Sequence, residues 1–350
     1  MSNQNNTSRR NSWIWKFPFL VLLILGTIFI IRKQSTTPYI KNSGMVFGTF
    51  YNITYQSNTD LQKQIEEVLA LVDQSLSPFN EKSIITAVNN NEDVEVNDMF
   101  KDVFQTAMKI SKETQGDFDI TVSPLVNIWG FGFKHDLTPD SAKIDSLREF
   151  VGYQKVKLVG NKVVKQDSRI MLDCSSIAKG YGVDAVGKFL DKKGIRNYMV
   201  EIGGEVITKG ISPRKADWRI GISKPIEDSL AISNELEDII TLKDEGMATS
   251  GNYRNFYYKD GKRYAHTIDP HTGYPVQHSL LSATVICGNC TLADAYATSF
   301  MVMGYEKALK FLETHKNLTA YFIYSNEKGE TQVYYSPSLK SRLAHLSEEQ

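Results

Sequence analysis

The sequence predicts an α+β fold: one large domain with a mixed or antiparallel sheet and packed helices, preceded by one N-terminal transmembrane helix. Three observations predict it. Two pairs of strand-like runs are separated by short turns, which is typical of hairpins. Helical patterns do not alternate regularly with strands, so a doubly wound parallel sheet is disfavoured. No linker-like stretch interrupts residues 42–340, so we treat residues 45–340 as one domain and residues 341–350 as a polar tail.

The N-terminal region carries an almost unbroken apolar run from Phe17 to Ile31, with basic residues on both sides. Counted from Trp13, the stretch approaches the roughly 20 residues that span a bilayer. It therefore predicts a transmembrane signal anchor over residues 13–33, followed by a linker over residues 34–44.

Basic residues are slightly more frequent before this span than after it, so residues 1–12 are expected to be a cytoplasmic tail and the main domain to lie outside the cytoplasm. A cleaved signal peptide is the alternative. It is disfavoured because the end of the apolar run offers poor cleavage-site residues, namely Ile30, Ile31, Arg32 and Lys33.

Hydrophobic periodicity predicts the elements of the main domain. Apolar residues fall on one helical face within residues 61–72 and again within 100–108. A third helix is expected from about Thr138 to Gly152, and a strongly apolar helix from Leu292 to Thr314. Strand-like runs occur at residues 156–158, 163–165, 198–202, 218–222, 239–242, 256–259, 262–266, 281–287 and 320–324.

Composition excludes one class of partner and leaves the cysteines without a clear role. Forty basic and forty acidic residues give a formal net charge of zero, so no long-range field favours nucleic acid. Cys287 and Cys290 form a C-x-x-C, but no second pair is present for structural zinc. Two partly buried thiols, or one local disulfide, are the favoured interpretations.

Ser175 and Ser176 are expected in a turn between a strand and a helix. Residues 169–173 are strand-like, and a helical apolar stripe follows. Backbone N–H groups and the dipole at a helix N-terminus favour an anion, and Lys179 adds a cation, so a phosphate fits there. The alternative, that one serine is simply a helix N-cap, is about equally favoured.

Asp294 and Thr298 are four residues apart on the predicted apolar helix, so they point the same way. A carboxylate and a hydroxyl in this arrangement can hold a hard cation such as Mg²⁺. The pair alone is a weak signal, because the default is a hydrogen-bonded polar spot. Its apolar surroundings strengthen the signal, since buried polar groups need partners.

Two further stretches contain candidate functional residues. Residues 116–132 combine glycines that permit close backbone approach with aromatic side chains that could face a planar ring, although such aromatics are more often core. Residues 266–276 read HTIDPHTGYPV. Their bland interpretation is a tight turn, and the functional one is that His266 moves a proton.

Together these stretches resemble the ApbE family of FAD-dependent flavin transferases, which move FMN from FAD onto a threonine of a target protein. No single stretch is decisive, but eight of them occur in the family's order. They are Met45-x-x-Gly48-Thr49 with Tyr51, Ser77-x-Phe79-x-x-x-Ser83, Gly116–Gly132, Leu172–Asp184, Glu201–Glu205, Ala248–Arg254, His266–Val276 and Leu292–Gly304.

The resemblance implies an FAD cleft within the α+β domain, with FAD as substrate and Mg²⁺ on its pyrophosphate. It implies His266 as the catalytic base. The implied metal ligands are Asp294, the Thr298 hydroxyl and main-chain oxygens of Ala178 and Ala297. The implied FAD-binding residues are Met45, Phe79, Asp117, Phe118, Asp119, Ser175, Lys179, Tyr181 and Ile268. His271 is expected to be a solvent-side turn residue.

The expected reaction transfers FMN to a threonine hydroxyl and releases AMP. The expected partner is a flavoprotein subunit of a membrane electron-transport complex. The expected location is the bacterial inner membrane, with one membrane pass and the catalytic domain on the periplasmic side. The alternatives are an Mg²⁺-dependent FAD pyrophosphatase, a non-catalytic flavin carrier and an anchored structural domain.

Overall fold

The computed structural model describes residues 11–132, 139–224, 236–252, 256–259 and 262–345. Its helices are α1 (Asn11–Thr36), α2 (Gln62–Leu76), α3 (Ile84–Asn89), α4 (Asp98–Glu113), α5 (Ser123–Ile128), α6 (Ser141–Arg148), α7 (Ala178–Lys192), α8 (Cys290–Met303) and α9 (Tyr305–Thr314). Short 3-10 turns occur at Tyr153–Lys155 and Pro337–Leu339.

The strands form one large sheet and three small ones. They are β1 (Tyr39–Val46), β2 (Thr49–Gln56), β3 (Val156–Val159), β4 (Lys162–Lys165), β5 (Tyr198–Ile202), β6 (Glu205–Lys209), β7 (Trp218–Ser223), β8 (Leu236–Leu242), β9 (Gly246–Gly251), β10 (Phe256–Lys259), β11 (Lys262–Ala265), β12 (Leu280–Cys287), β13 (Thr319–Ser325), β14 (Thr331–Tyr335) and β15 (Leu343–His345).

The large sheet has eight strands in the order β1-β2-β5-β6-β9-β12-β13-β14, and every neighbouring pair is antiparallel. Strands β15, β8 and β7 form a second sheet, and β3-β4 and β10-β11 are separate hairpins. Helix α8 packs on β9 and β12, and α7 packs on α8, α2 and β5. The α+β architecture with an antiparallel sheet is therefore confirmed.

The α7–α8 layer is the centre of the core. Apolar side chains of both helices are fully buried, including Val183, Val186, Phe300 and Met301. The helical spacing of apolar residues in the sequence predicts such a buried face on each helix. Because α7 and α8 pack directly on each other and on the sheet, polar side chains on their facing surfaces are held in a rigid setting.

Three predicted elements differ from the structure. Residues 169–173 form no strand, because the backbone N–H and C=O of Leu172 bond to the side-chain amide of Asn89 at 2.7 and 2.8 Å. The apolar run that follows Asp119 also has a strand-like pattern, but Ser123–Ile128 form α5, because Pro124 stands in the first turn and favours helix initiation. The helix predicted from Leu292 to Thr314 is broken at Gly304, whose φ is 75°.

The predicted domain limits also shift. Residues 39–44, assigned to a linker, form most of β1, and residues 343–345, assigned to a polar tail, form β15 and pair with β8. The tip of the β10-β11 hairpin at residues 260–261, Arg254, Thr138, and the chain ends at 1–10 and 346–350 lie outside the described residues.

Residues 13–33 belong to α1, and the side chains from Phe17 to Ile31 are exposed. No helix within the described ranges is both long and apolar enough to cross a membrane, so the predicted span is not confirmed.

Candidate active site

A cleft of about 340 Å³ opens between α8, the turn before α7, the segment before α5 and the residues after β11. It adjoins a second cavity of about 620 Å³ beside the β1-β2 turn and the end of α2. Phe79, Ser175 and Lys179 line both, so the two form one continuous groove. The predicted site residues in the smaller cavity are Phe79, Asp117, Phe118, Asp119, Ser175, Lys179, His266, Ile268, Asp294 and Thr298.

Asp294 is a buried carboxylate at the floor of the cleft. It lies in the second turn of α8, is 3% exposed, and its Oδ2 accepts a hydrogen bond from the backbone N–H of Gly180 at 2.9 Å. Burial raises the pKa of Asp294 to about 7, against the opposing charge of Lys179. A carboxylate in this setting is stabilised by a cation that contacts its remaining lone pairs.

Gly180 permits this contact because it has no side chain. A Cβ at that position would lie 2.4 Å from the carbonyl oxygen of Cys290 and 2.8 Å from Cβ of Asp294. The backbone of the first turn of α7 therefore packs directly against the first turns of α8. This close approach lets Asp294 accept a hydrogen bond from the backbone N–H of Gly180. In the first turn of a helix such N–H groups have no partner within the helix itself.

Asp184 makes the reciprocal contact from α7 to the N-terminus of α8. Its carboxylate accepts hydrogen bonds from the backbone N–H groups of Cys290 and Thr291 at 2.9 and 2.8 Å, and from the Thr291 hydroxyl at 2.5 Å. Each helix therefore caps the other with an aspartate. Asp184 was not predicted as a functional residue, although a buried charge on the apolar stripe of α7 was a visible signal.

Thr298 follows Asp294 by one turn, and its Oγ1 lies 3.2 Å from the Oγ of Ser250 on β9. Both side chains line the cleft. In the described part of the chain, no group of three or more His, Cys, Asp or Glu side chains could hold a metal ion. The donors here are one carboxylate and two hydroxyls, which are hard oxygen donors of the kind that Mg²⁺ takes together with water and phosphate. The side chains present therefore fit that ion.

Lys179 places a positive charge between the two cavities. Its Nζ lies 2.5 Å from Oε1 of Glu205, which is 2% exposed at the start of β6. Burial lowers the pKa of Lys179, but the charges of Glu205 and Asp294 outweigh burial and raise it overall. Lys179 is therefore a fixed cation. Glu205 was part of the Glu201–Glu205 stretch but had no predicted role.

His266 follows β11 directly, lines the cleft and is partly buried. Its ring meets that of Phe131 edge to face, with centroids 6.4 Å apart. Ile268 beside it is buried and bridges to Pro275, which closes the turn. The strand predicted over residues 262–266 ends at Ala265, one residue before His266, and the Ile268–Pro275 bridge closes a turn within residues 266–276.

Asp117 and Asp119 lie in the cleft wall with their oxygens already engaged. Asp117 contacts Nζ of Lys307 at 2.6 Å and Nε2 of His271 at 3.2 Å. His271 was predicted to be a solvent-side turn residue, and it does lie in a turn with its side chain exposed; its ring also contacts Asp117 and so ties the turn to the cleft wall.

Asp119 accepts three hydrogen bonds, from the backbone and hydroxyl of Thr121 and from the backbone of Tyr153. Burial raises the pKa of Asp119, against the effect of those bonds. These hydrogen bonds hold the chain before α5 in place. The Asp119 side chain also borders the cleft.

Four predicted site residues do not line the cleft. Met45 on β1 is 72% exposed and borders neither cavity. Tyr181 lines a separate cavity of about 490 Å³, with its hydroxyl 3.4 Å from Asp102. Ala178 and Ala297 lie on α7 and α8 beside the cleft residues, and their side chains border neither cavity.

Two local alternatives are also decided by the contacts. The N-cap residue of α7 is Ile177 and it makes no side-chain cap, so neither Ser175 nor Ser176 caps the helix. Cys287 and Cys290 are buried free thiols, and each donates to a backbone carbonyl, of Asn289 and Met247 respectively. Of the two favoured interpretations of this cysteine pair, the structure agrees with two free thiols and not with a local disulfide.

The chain matches the model of the ApbE family over residues 47–322. It is 36% identical to an FAD:protein FMN transferase of Vibrio cholerae over 335 residues, which cover 92% of this chain and 98% of the relative. It is 32% identical to the FAD:protein FMN transferase of Escherichia coli over 345 residues, covering 92% and 97%.

Solved structures agree. The flavin transferase ApbE from Vibrio cholerae superposes with a TM-score of 0.79 at 35% identity, covering 87% of this chain and 99% of that one. The apo form of the Pseudomonas stutzeri flavinyl transferase ApbE gives 0.77 at 30% identity, covering 87% and 96%. This chain belongs to the ApbE family.

Proposed function

We propose that this protein transfers FMN from FAD to a hydroxyl group of another protein and releases AMP. The observation that carries the proposal is the groove itself. It brings a histidine, a buried aspartate with a threonine one turn later, and a fixed lysine to one cleft, from segments far apart in the chain. FAD:protein FMN transferase is the name of the relatives described above.

FAD is proposed to occupy both cavities, with its pyrophosphate at the junction where Ser175 and Lys179 border each of them. The cation of Lys179 faces a phosphate there, and Glu205 keeps it charged and oriented. Phe79 at the same junction and Ile268 in the smaller cavity offer apolar contacts to the ring systems.

His266 is proposed as the general base. It takes the proton from the acceptor hydroxyl, whose oxygen forms a bond to the FMN-side phosphorus while the bond from that phosphorus to the AMP oxygen breaks. The products are an FMN phosphoester and AMP. A threonine is the proposed acceptor, carried by a flavoprotein subunit of a membrane electron-transport complex.

Asp294 and the Thr298 hydroxyl would hold Mg²⁺, with main-chain oxygens of Ala178 and Ala297 as the further proposed ligands. When bound, the ion supplies positive charge to the pyrophosphate. Four aspartates line the smaller cavity, Asp117, Asp119, Asp173 and Asp294. Lys179 and His266 are the basic side chains among its lining residues, so a polyanionic substrate needs the additional charge.

The test combines the full chain with FAD, Mg²⁺ and a recombinant domain of a membrane electron-transport subunit. We expect the domain to remain fluorescent after denaturation and to gain one FMN on a threonine by mass spectrometry. His266→Gln should lower the rate by about 100-fold or more, with FAD binding retained. AMP release at the same rate without the domain, and no labelling, would instead indicate an FAD pyrophosphatase.

We also propose that α1 attaches the protein to the bacterial inner membrane, with the catalytic domain on the periplasmic side. The support is the exposed apolar surface of α1 from Phe17 to Ile31 and the basic residues that flank it.

A further inference from the structure

A file of aromatic rings leads out of the cleft from His266. Phe131 meets His266 edge to face and stacks on Tyr257 at 5.2 Å, and Tyr257 stacks on Tyr264 at 5.5 Å. The file continues from Tyr264 to Trp129 at 5.2 Å and then to Tyr274 at 5.7 Å. We call these five aromatic residues, Tyr274, Trp129, Tyr264, Tyr257 and Phe131, the aromatic file.

The aromatic file is held together by three separate segments of the chain. Tyr257 and Tyr264 are register partners on the β10-β11 hairpin, so they share one of its faces. Trp129 follows α5 and donates its indole N–H to the carbonyl of Gly273 at 2.8 Å, which fastens the turn that carries Tyr274. The hairpin, the end of α5 and the turn after His266 therefore form one surface.

The surface begins inside the cleft and ends outside it. Phe131 and His266 line the cleft, whereas Tyr257, Tyr264 and Tyr274 do not. Phe131, Tyr257 and Tyr264 are partly exposed, and Tyr274 is 42% exposed. An aromatic surface continuous with a reactive centre is suited to a partner that must reach that centre from solvent, because tyrosine and tryptophan lose little conformational entropy on binding.

We propose that the aromatic file is the docking surface for the acceptor protein, which lays an extended segment along it with the acceptor hydroxyl at His266. The inference rests on the proposed FMN transfer and adds the route of the second substrate. An acceptor hydroxyl must approach the atom to which it gives its proton, so the segment that carries it must pass the residues flanking His266. On the hairpin side these are Phe131 and then Tyr257.

Tyr257 and Tyr258 provide a matched pair for the test. Adjacent residues of a strand point to opposite faces. Tyr257 stacks within the aromatic file, whereas the Tyr258 ring contacts Phe256 at 5.8 Å and is 59% exposed. Tyr257→Ala therefore removes part of the proposed surface, and Tyr258→Ala removes a ring of the same type from the other face.

With the recombinant acceptor domain and FAD as the two varied substrates, Tyr257→Ala should raise KM for the acceptor about tenfold. KM for FAD and the FAD-induced thermal shift should stay near wild type, and Tyr258→Ala should match wild type in all three. Tyr257→Phe should retain most of the acceptor affinity, because it keeps the stacked ring. An unchanged KM for the acceptor in Tyr257→Ala, or a rise confined to KM for FAD, would overturn the inference.

Photo-crosslinking provides a readout that does not depend on catalysis. A photoreactive phenylalanine analogue at position 257 should crosslink to the acceptor domain, and the same analogue at position 258 should not. Equal crosslinking at both positions would contradict the docking surface. If the protein with the analogue at position 257 crosslinks to the acceptor domain but wild-type protein transfers no FMN to that domain, the proposed function is refuted and the docking surface is supported.

Discussion

Asp294 shows at the residue scale how one buried carboxylate can be both structural and functional. One of its oxygens accepts the Gly180 N–H, and burial raises its pKa to about 7. The side chain is therefore held in place by a neutral donor and still lacks a full countercharge. Lys179 shares its charge with Glu205, so it does not neutralise Asp294 alone. In such an environment a bound cation would stabilise the ionised carboxylate most strongly.

Replacing Asp294 by the isosteric asparagine separates these two roles. Asp294→Asn keeps an oxygen for the Gly180 N–H but loses the negative charge, so the melting temperature should stay near wild type. The initial rate of FMN transfer at saturating FAD should fall at least about 100-fold. Asp102→Asn, an exposed aspartate on α4, is the control. A rate for Asp294→Asn close to that of the control would show that Asp294 does not hold the metal.

His278 makes the stability of the fold depend on pH. Its Nε2 lies 2.8 Å from the carbonyl of Met301 and its Nδ1 accepts from the backbone N–H of Leu280 at 3.3 Å, so the ring is neutral. Burial lowers the pKa of His278 below its ordinary value of 6.5. The unfolded chain therefore takes up a proton, on acidification, before the folded chain does.

The free energy of unfolding should consequently be greatest above about pH 6.5 and decrease as the pH falls below it, by at most about 1.4 kcal/mol per pH unit from this residue. His278→Gln keeps a donor for Met301 and cannot titrate, so its slope between pH 6.5 and 5 should be smaller. Urea unfolding at several pH values measures both slopes. Identical slopes would mean that another group causes the dependence.

Helices α7 and α8 act at the element scale as one unit. Asp294 of α8 accepts from the N-terminal turn of α7, and Asp184 of α7 accepts from the N-terminal turn of α8. Burial raises the pKa of Asp184, and its hydrogen bonds to Thr291 and Cys290 oppose that rise. The reciprocal caps bring the N-terminus of α7, with Lys179, and the turn of α8 that carries Asp294 to the same cleft.

The close approach of the two helices depends on Gly180. In Gly180→Ala the new Cβ would meet the Cys290 carbonyl and Asp294 at distances that real Cβ atoms do not show. We expect a loss of about 3 kcal/mol in the free energy of unfolding, together with reduced FMN transfer because Asp294 is displaced. Gly288→Ala is the control, since a Cβ there meets nothing within 4 Å. Chemical denaturation of both variants measures the difference, and equal stability would contradict the proposed packing.

The protein consists of the apolar helix α1 and the catalytic domain that follows it in the chain. Helix α1 ends at Thr36, and β1, the first strand of the eight-stranded sheet, begins at Tyr39. The boundary between the two parts is therefore short and lies at an edge of the sheet. The residues that line the cleft all follow this boundary in the chain.

Removing residues 1–36 tests the division of labour between these parts. The shortened chain should move from the membrane fraction to the soluble fraction, because the exposed apolar surface of α1 is lost. Its rate of FMN transfer with soluble acceptor domain should stay within about twofold of the full chain, since no catalytic residue is removed. Fractionation and a labelling assay report on the two outcomes separately. An intact membrane association after truncation would rule out α1 as the anchor.

The α+β class, most strand positions and three of the residues that line the cleft could be predicted from the amino-acid sequence alone. Strand β5 was predicted with both ends correct, and β12 and β13 within one residue, because strand alternation is a local property of the chain. His266 was singled out within the stretch HTIDPHTGYPV, and Asp294 and Thr298 as two polar residues four apart on an apolar helix; the resemblance to the ApbE family implied their roles. Their position in one cleft agrees with that reasoning.

The neighbours of these residues could not be predicted from the sequence, because they depend on how distant segments pack together. The tertiary structure turns Tyr181 to another cavity and exposes Met45, and it pairs Lys179 with Glu205 and Asp117 with His271. It also assembles the aromatic file from three segments of the chain. The physical reason is that periodicity assigns a residue to a face of its own element. Which element covers that face depends on packing between segments that lie far apart in sequence.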